Sequence, residues 1–237
     1  TLNRVVSASA SQIDGAVHAN GQVVIVNSQG IVFGKSAQVD AAGIVATTMD
    51  TSNSDFMAGK STYSGNSSAD VRGSLTGYIA LLAAEVRNDG YVLAKGAQSA
   101  IAMASGSKIT LDFRGDQLMT VSVDAGVYRS LIANRRVVEA SGGLVVISAS
   151  AMNQLMGSLI RNSGRISASS IVSNGGQIEL VADTVVNKGT ISANSSAPAS
   201  VLANGGQVSI VANTINLRPS SVISASANNL GNGGVIS

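Results

Sequence analysis

The residue types that could do chemistry in this chain are few and dispersed. His18 is the single histidine and cysteine is absent, which removes disulfides, thiolate zinc sites and thiol nucleophiles. His18 has no second histidine or cysteine with which to share a metal, and a turn or surface position accounts for it. A serine nucleophile could in principle draw on His18 and an acid, but no Gly-x-Ser-x-Gly elbow is present. Asp112 and Asp116, on either side of Arg114, form the candidate carboxylate pair, since glycosidases place two carboxylates across a groove. The plainer reading of that cluster is a salt-bridged turn. Arg114–Gly115–Asp116 also spells an integrin-type tripeptide, a triplet frequent by chance. Dinucleotide and P-loop glycine patterns are missing, and Met152 with Met156 reads as packing rather than as a ligand pair.

The elements that would have to position such residues are strands. Gly175–Ala193 opens on a glycine pair and then alternates, with Ile178, Leu180 and Ala182 on one side and Gln177, Glu179 and Val181 on the other. Val185–Val186, the turn Asn187–Lys188–Gly189 and Thr190–Ala193 follow. Alternation with β-branched residues between Gly and Asn is the strand pattern. It recurs at Gly142–Ala168 and Gly205–Ala225, and more loosely at Gly77–Ala94 and Asn20–Gly34. A period near 30 residues marks a repeat architecture. Asp50–Ser74 is polar and turn-rich and reads as an excursion that leaves the repeat, with Phe56, Met57 and Tyr63 as anchors. KITLDF and LMTVSV, joined by Arg114–Gly115–Asp116, read as a hairpin or broken turn. Tyr128–Ala140 and Ala149–Leu159 are the segments with helical character, the second through Met152, Leu155, Met156 and Leu159 at i, i+3, i+4 and i+7.

Composition supports an extended, stacked fold. Of the 237 residues 45% are hydrophobic, but only 3% are aromatic and 12% charged; Val, Ile, Leu and Ala suit narrow stacked layers. The 15 Lys and Arg residues are scattered along the sequence and exceed the acids by two. No basic stripe with interleaved aromatics speaks for nucleic acid, and no apolar run approaches a membrane span. A propeller blade needs more residues than these repeats provide. A sandwich does not repeat the same turn letters. Stacked coils explain both, because like residues form ladders and Gly supplies the bends. The expected fold is all-β, a right-handed parallel β-helix (β-solenoid) with a small extra-helical hairpin or loop excursion. Both ends read as open, so the chain is expected to be part of something longer.

Leu2–Asn3–Arg4–Val5, the segment from Gln12 to Asp50, Ser54–Gly59, Gly77–Ala94, the ITLDF and VSVD segments, Val137–Ala140 with Gly142–Gly143, and the closing glycine-pair repeats occur in an order that resembles the N-terminal secretion domain (TPS, or haemagglutination activity, domain) of the filamentous-haemagglutinin family. These are large exoproteins of bacterial two-partner secretion. The resemblance implies a non-enzymatic secretion and folding module of an adhesin-like exoprotein. It implies recognition by an outer-membrane β-barrel transporter of the TpsB type (Omp85 family), and folding outside the cell that templates the remaining coils. It implies a secreted or cell-surface location reached through the periplasm, and no cofactor, metal, nucleic acid or membrane insertion. Host glycans or proteins would be met through the rest of the exoprotein. The family's Asn-Pro-Asn-Gly motif aligns with Asn27–Ser28–Gln29–Gly30, matching at Asn27 and Gly30, and is the candidate transporter-recognition turn. These residues could equally be corner residues that shape one coil. The family's domain begins several tens of residues upstream. Residues 1–140 are assigned to the secretion part, with the excursion at about 50–76, and 141–237 to continuing repeats. Two further readings stay open: a polysaccharide lyase or hydrolase on the same scaffold, and a module that binds a host or cell surface directly.

Overall fold

Alternating sequences of this kind bury one side of each strand, and in the computed structural model they do so by winding around a common core. The structure describes the chain except residues 66, 95–98, 114–118, 125–129, 152–156, 172–173 and 228–229. Twenty strands form one sheet in which every pairing is parallel and each partner comes from the preceding or following coil. The result is a right-handed parallel β-helix with three faces. The first face carries Leu2–Arg4, the ends of Ala16–Val26, Gln38–Thr47 and Ser74–Leu82, then Ala100–Ser105, Leu144–Ala149, the starts of Gln177–Asn187 and Gln207–Leu217, and Val235–Ile236. The second face begins at Ser11–Ile13 and continues through Ile31–Phe33, Ser68–Val71, Glu85–Asn88, Ser130–Asn134 and Ser158–Asn162. The third contains Tyr91–Ala94, Val137–Ala140, Arg165–Ser167, Thr190–Ser192 and Val222–Ser224.

Register turns the repeats into columns. Ile44, Ile79, Ile101, Val145, Ile178 and Val208 stack inside the first face. Ala69, Val86, Ile132, Ile160 and Val185 stack inside the second, and Val39, Leu75, Val92, Val138, Ile166 and Ile191 inside the third. These residues form one continuous buried cluster. Small apolar residues serve because each layer must fit within the ~4.8 Å strand spacing. Glycine pairs are required where coils touch: a Cβ at Gly206 would lie 2.0 Å from the Gly176 carbonyl oxygen, and one at Gly189 1.9 Å from that of Gly164.

The expected excursion is real but shorter and has a partner. The chain leaves the coil only for the helix Asn53–Met57, capped by Ser52, and the strand Ser61–Ser64; Ser68–Val71 is already back on the second face. The second departure is the antiparallel pair Lys108–Phe113 and Met119–Asp124, which joins Ser61–Ser64 in a three-stranded sheet. Tyr63, Ile109 and Leu111 of this sheet pack on the outward side chains of the first face, among them Val24, Val26, Val45, Ala80, Leu82, Ala102 and Ala104. That is why the early first-face strands are apolar on both sides. Burying two faces of one strand needs a cover on each.

Among the described residues of Tyr128–Ala140, which begin at Ser130, the expected helical character is not found. Ser130–Asn134 and Val137–Ala140 are strands, with Ile132, Asn134, Val138 and Ala140 inward. The open edge of the preceding coil satisfies their backbone in extended form, and this outweighs local helical preference. Of the other helical candidate, Ala149–Leu159, the first residue ends the strand Leu144–Ala149 and the last two begin the strand Ser158–Asn162, while 152–156 lie outside the described residues.

Candidate functional site: the Asn27 corner

A turn must satisfy the backbone groups that leave the sheet ladder. Asn27 closes the Ala16–Val26 strand, where the first face passes to the second, and every polar group it owns is used. Its amide donates to the Thr47 carbonyl at 3.1 Å, and its carbonyl accepts from the Gly30 amide at 3.0 Å, closing a β-turn over Asn27–Gly30. Its Oδ1 accepts from the Gln29 amide at 2.9 Å, an Asx turn nested in the first. Its Nδ2 donates to the Ser9 carbonyl at 3.1 Å and to Ser11 Oγ at 2.8 Å. Asn27 is fully buried. Gly30 is buried too and sits at φ +125°, where a Cβ would meet Ala10 Cβ at 3.2 Å; only glycine adopts that backbone without strain. The tips, Ser28 and Gln29, are exposed, and the Ser28 carbonyl accepts from the Ser67 hydroxyl of the next coil.

The four motif residues are thus one unit, with two buried residues that build the turn and two exposed residues that it presents. Proline at the second position is dispensable in this chain because the Asx turn and Gly30 set the geometry. Sequence reasoning missed the Ser9, Ser11 and Ser67 contributions; partners 16 to 39 residues away carry no local signal.

The remaining chemical candidates do not converge. His18 is exposed on the third face and pairs in register with Asp40, whose Oδ1 accepts from Thr76 Oγ1 at 3.1 Å. Among the described residues no group of three or more His, Cys, Asp or Glu could hold a metal. Of the Asp112 and Asp116 pair, residue 116 lies outside the described residues, and the backbone of Lys108–Phe113 belongs to the covering sheet. The clear titration shifts belong to Tyr78 and Tyr63, both pushed up by burial against that sheet; they stay neutral and serve packing.

The coil as a whole has relatives among known proteins. The profile of the TPS secretion domain matches residues 1–193. The chain belongs to the TPS secretion domain family. The crystal structure of the HMW1 secretion domain from Haemophilus influenzae superposes with a TM-score of 0.71 at 21% identity, over 99% of this chain and 79% of that one; this likeness concerns the fold. The heme/hemopexin-binding protein of Haemophilus influenzae strain Rd is 27% identical over 208 residues, 81% of this chain and 22% of the relative. A second heme/hemopexin-binding protein of Haemophilus influenzae is 44% identical over 48 residues, 20% of this chain and 5% of that protein. The chain therefore spans about a fifth of the length of the longer-matching relative. TPS exoproteins pass through the periplasm to the cell surface or the extracellular space, and this sets the chain's location. A TPS domain works with a TpsB transporter in general, and neither the TPS domain nor the HMW1 secretion domain is an enzymatic family.

Proposed function

We propose that this TPS domain is the export address and folding seed of a large adhesin-like exoprotein. Its TpsB-type transporter (Omp85 family) reads Asn27–Ser28–Gln29–Gly30 while the chain is still unfolded. Residues 1–140 carry the secretion part and 141–237 extend the same solenoid. The observation that supports this reading is the burial of Asn27 beside exposed Ser28 and Gln29. Once the coil closes, the asparagine amide has no free donor or acceptor for a partner. A transporter that binds it must do so before folding and must let go as folding proceeds. Stacking of coils outside the cell then removes the recognised form and makes passage one-way, because burial of successive layers is favourable. This role needs no adhesive activity in the domain itself.

Export of the domain, expressed with a leader and its transporter, tests this. Asn27→Ala should lower the secreted fraction well below that of Val26→Ala, which opens a cavity of comparable cost at the same corner and leaves the motif intact. Equal secretion by the two variants at equal folded stability overturns recognition and leaves the corner a purely architectural role.

A further inference from the structure

Six of the fifteen basic residues, scattered in sequence, are gathered by the coil. Asn134, Asn162, Asn187 and Leu217 are in register on successive rungs, so the residues that follow them, Arg135, Ser163, Lys188 and Arg218, share one corner between the second and third faces. Arg136 adjoins Arg135, and Arg161 and Arg165 flank Ser163. All six bases are exposed. Four rungs at ~4.8 Å per step cover about 14 Å along the axis. Among the described residues, two of the six are ion-paired: Arg135 with Asp89 at 3.2 Å, and Arg165 with Glu139. Arg136 lies over the Tyr91 ring, 5.7 Å from its centroid. Among the described residues, Arg161, Lys188 and Arg218 form no ion pair.

We propose that this corner is a binding ridge for an acidic polysaccharide whose carboxylates or sulfates lie along the solenoid axis. Cations at fixed steps on a convex edge suit a linear polymer of repeating anions. Guanidinium forks take a planar carboxylate or a sulfate through paired hydrogen bonds. Single-stranded nucleic acid is the poorer fit, because it needs aromatic platforms for its bases and Arg136 covers the Tyr91 ring. Location agrees, since the domain ends up outside the cell, where polyanions are chiefly glycans. The ridge is separate from the Asn27 corner and does not depend on the export reading.

The test is binding of two probes to the 237-residue chain, a fully sulfated heparin-type oligosaccharide and an unsulfated polyuronate, across a salt series. The wild type should bind at least one, with affinity falling linearly in log salt. Arg161→Gln/Lys188→Gln/Arg218→Gln should bind about ten-fold more weakly with a shallower slope. Lys35→Gln/Lys60→Gln/Lys108→Gln, of equal charge, should stay within about two-fold of wild type. Circular dichroism confirms the fold, and the single Lys188→Glu variant, expected to lose several-fold, serves if the triple variant misfolds. The two probes distinguish sulfate from carboxylate. Absence of wild-type binding, equal loss in both triple variants, or tighter binding of single-stranded DNA of matched charge overturns the proposal.

Discussion

Asn27 and the column Asn88, Asn134, Asn162 and Asn187 are all buried asparagines at corners of the same coil, but they are held in different ways. Asn27 shares its Asx turn with Asn88, Asn162 and Asn187, whose Oδ1 atoms likewise accept from the amide two residues on, but its Nδ2 is tied to the Ser9 carbonyl and the Ser11 hydroxyl rather than to another asparagine. The other four hold each other. Nδ2 of Asn88 donates to Oδ1 of Asn134 at 2.9 Å, Asn134 to Asn162 at 2.9 Å, and Asn162 to Asn187 at 2.8 Å. Each of the first three also caps a carbonyl of the next coil, on Val137, Arg165 and Thr190. Toward the N-terminus the column is apolar, with Phe33 and Val71 in the same register, and Leu217 stands beyond it. A ladder needs like residues one strand spacing apart, and only adjacent coils that agree in sequence provide them. A single corner has no such neighbour and must recruit local partners. The lesson is that the same residue stabilises periodically in one region and idiosyncratically in the other.

The comparison can be broken most forcefully in the middle of the ladder. Asn134→Leu fits a column that already contains Phe33, Val71 and Leu217, so the loss is polar: the Asn162 amide oxygen, the Asn88 amide nitrogen and the Arg165 carbonyl each lose a buried partner. A destabilisation of about 3 kcal/mol is expected in denaturant unfolding; a loss under about 1 kcal/mol would mean the ladder is decorative. Asn27→Ala should cost less, about 1–2 kcal/mol, because Ser9 and Gln29 are exposed and water replaces part of what is lost. If Asn27→Ala is the costlier of the two, the ranking of periodic over local support is wrong. Ser28→Ala/Gln29→Ala should leave the melting temperature unchanged, as both side chains are exposed. The smallest effect sharpens the contrast. Asn187 Nδ2 is buried without a hydrogen-bond partner, since Leu217 occupies the next rung. Leu217→Asn extends the ladder by one step and should raise stability by about 0.5–1 kcal/mol, read as a small rise in unfolding midpoint.

A second contrast runs along the first face. Its early strands are apolar on both sides because the three-stranded sheet covers them. Later, Gln177 and Glu179, and then Gln207 and Ser209, face outward on the same face, and among the described residues these rungs have no such cover. The continuous apolar runs near Gly43 and Gly77 thus signalled a cover, which the sequence pattern left unidentified. Ser61–Ser64 and Lys108–Phe113 are about 45 residues apart, and nothing in either segment names the other.

Alternation at Gln177–Asn187 and glycine pairs one coil apart were enough to determine a stacked all-β chain, and the lack of cysteine excluded disulfides and thiolate sites. Those are local properties of composition and period. The length of the excursion, strand in place of helix at Ser130–Ala140, the asparagine ladder and the basic ridge were decided by tertiary structure. Parallel coiling brings residues roughly 25 to 30 apart in sequence to within one strand spacing (Asn134, Asn162 and Asn187 in register). Which side chains become neighbours therefore depends on the summed length of every turn between them, a quantity no single segment contains.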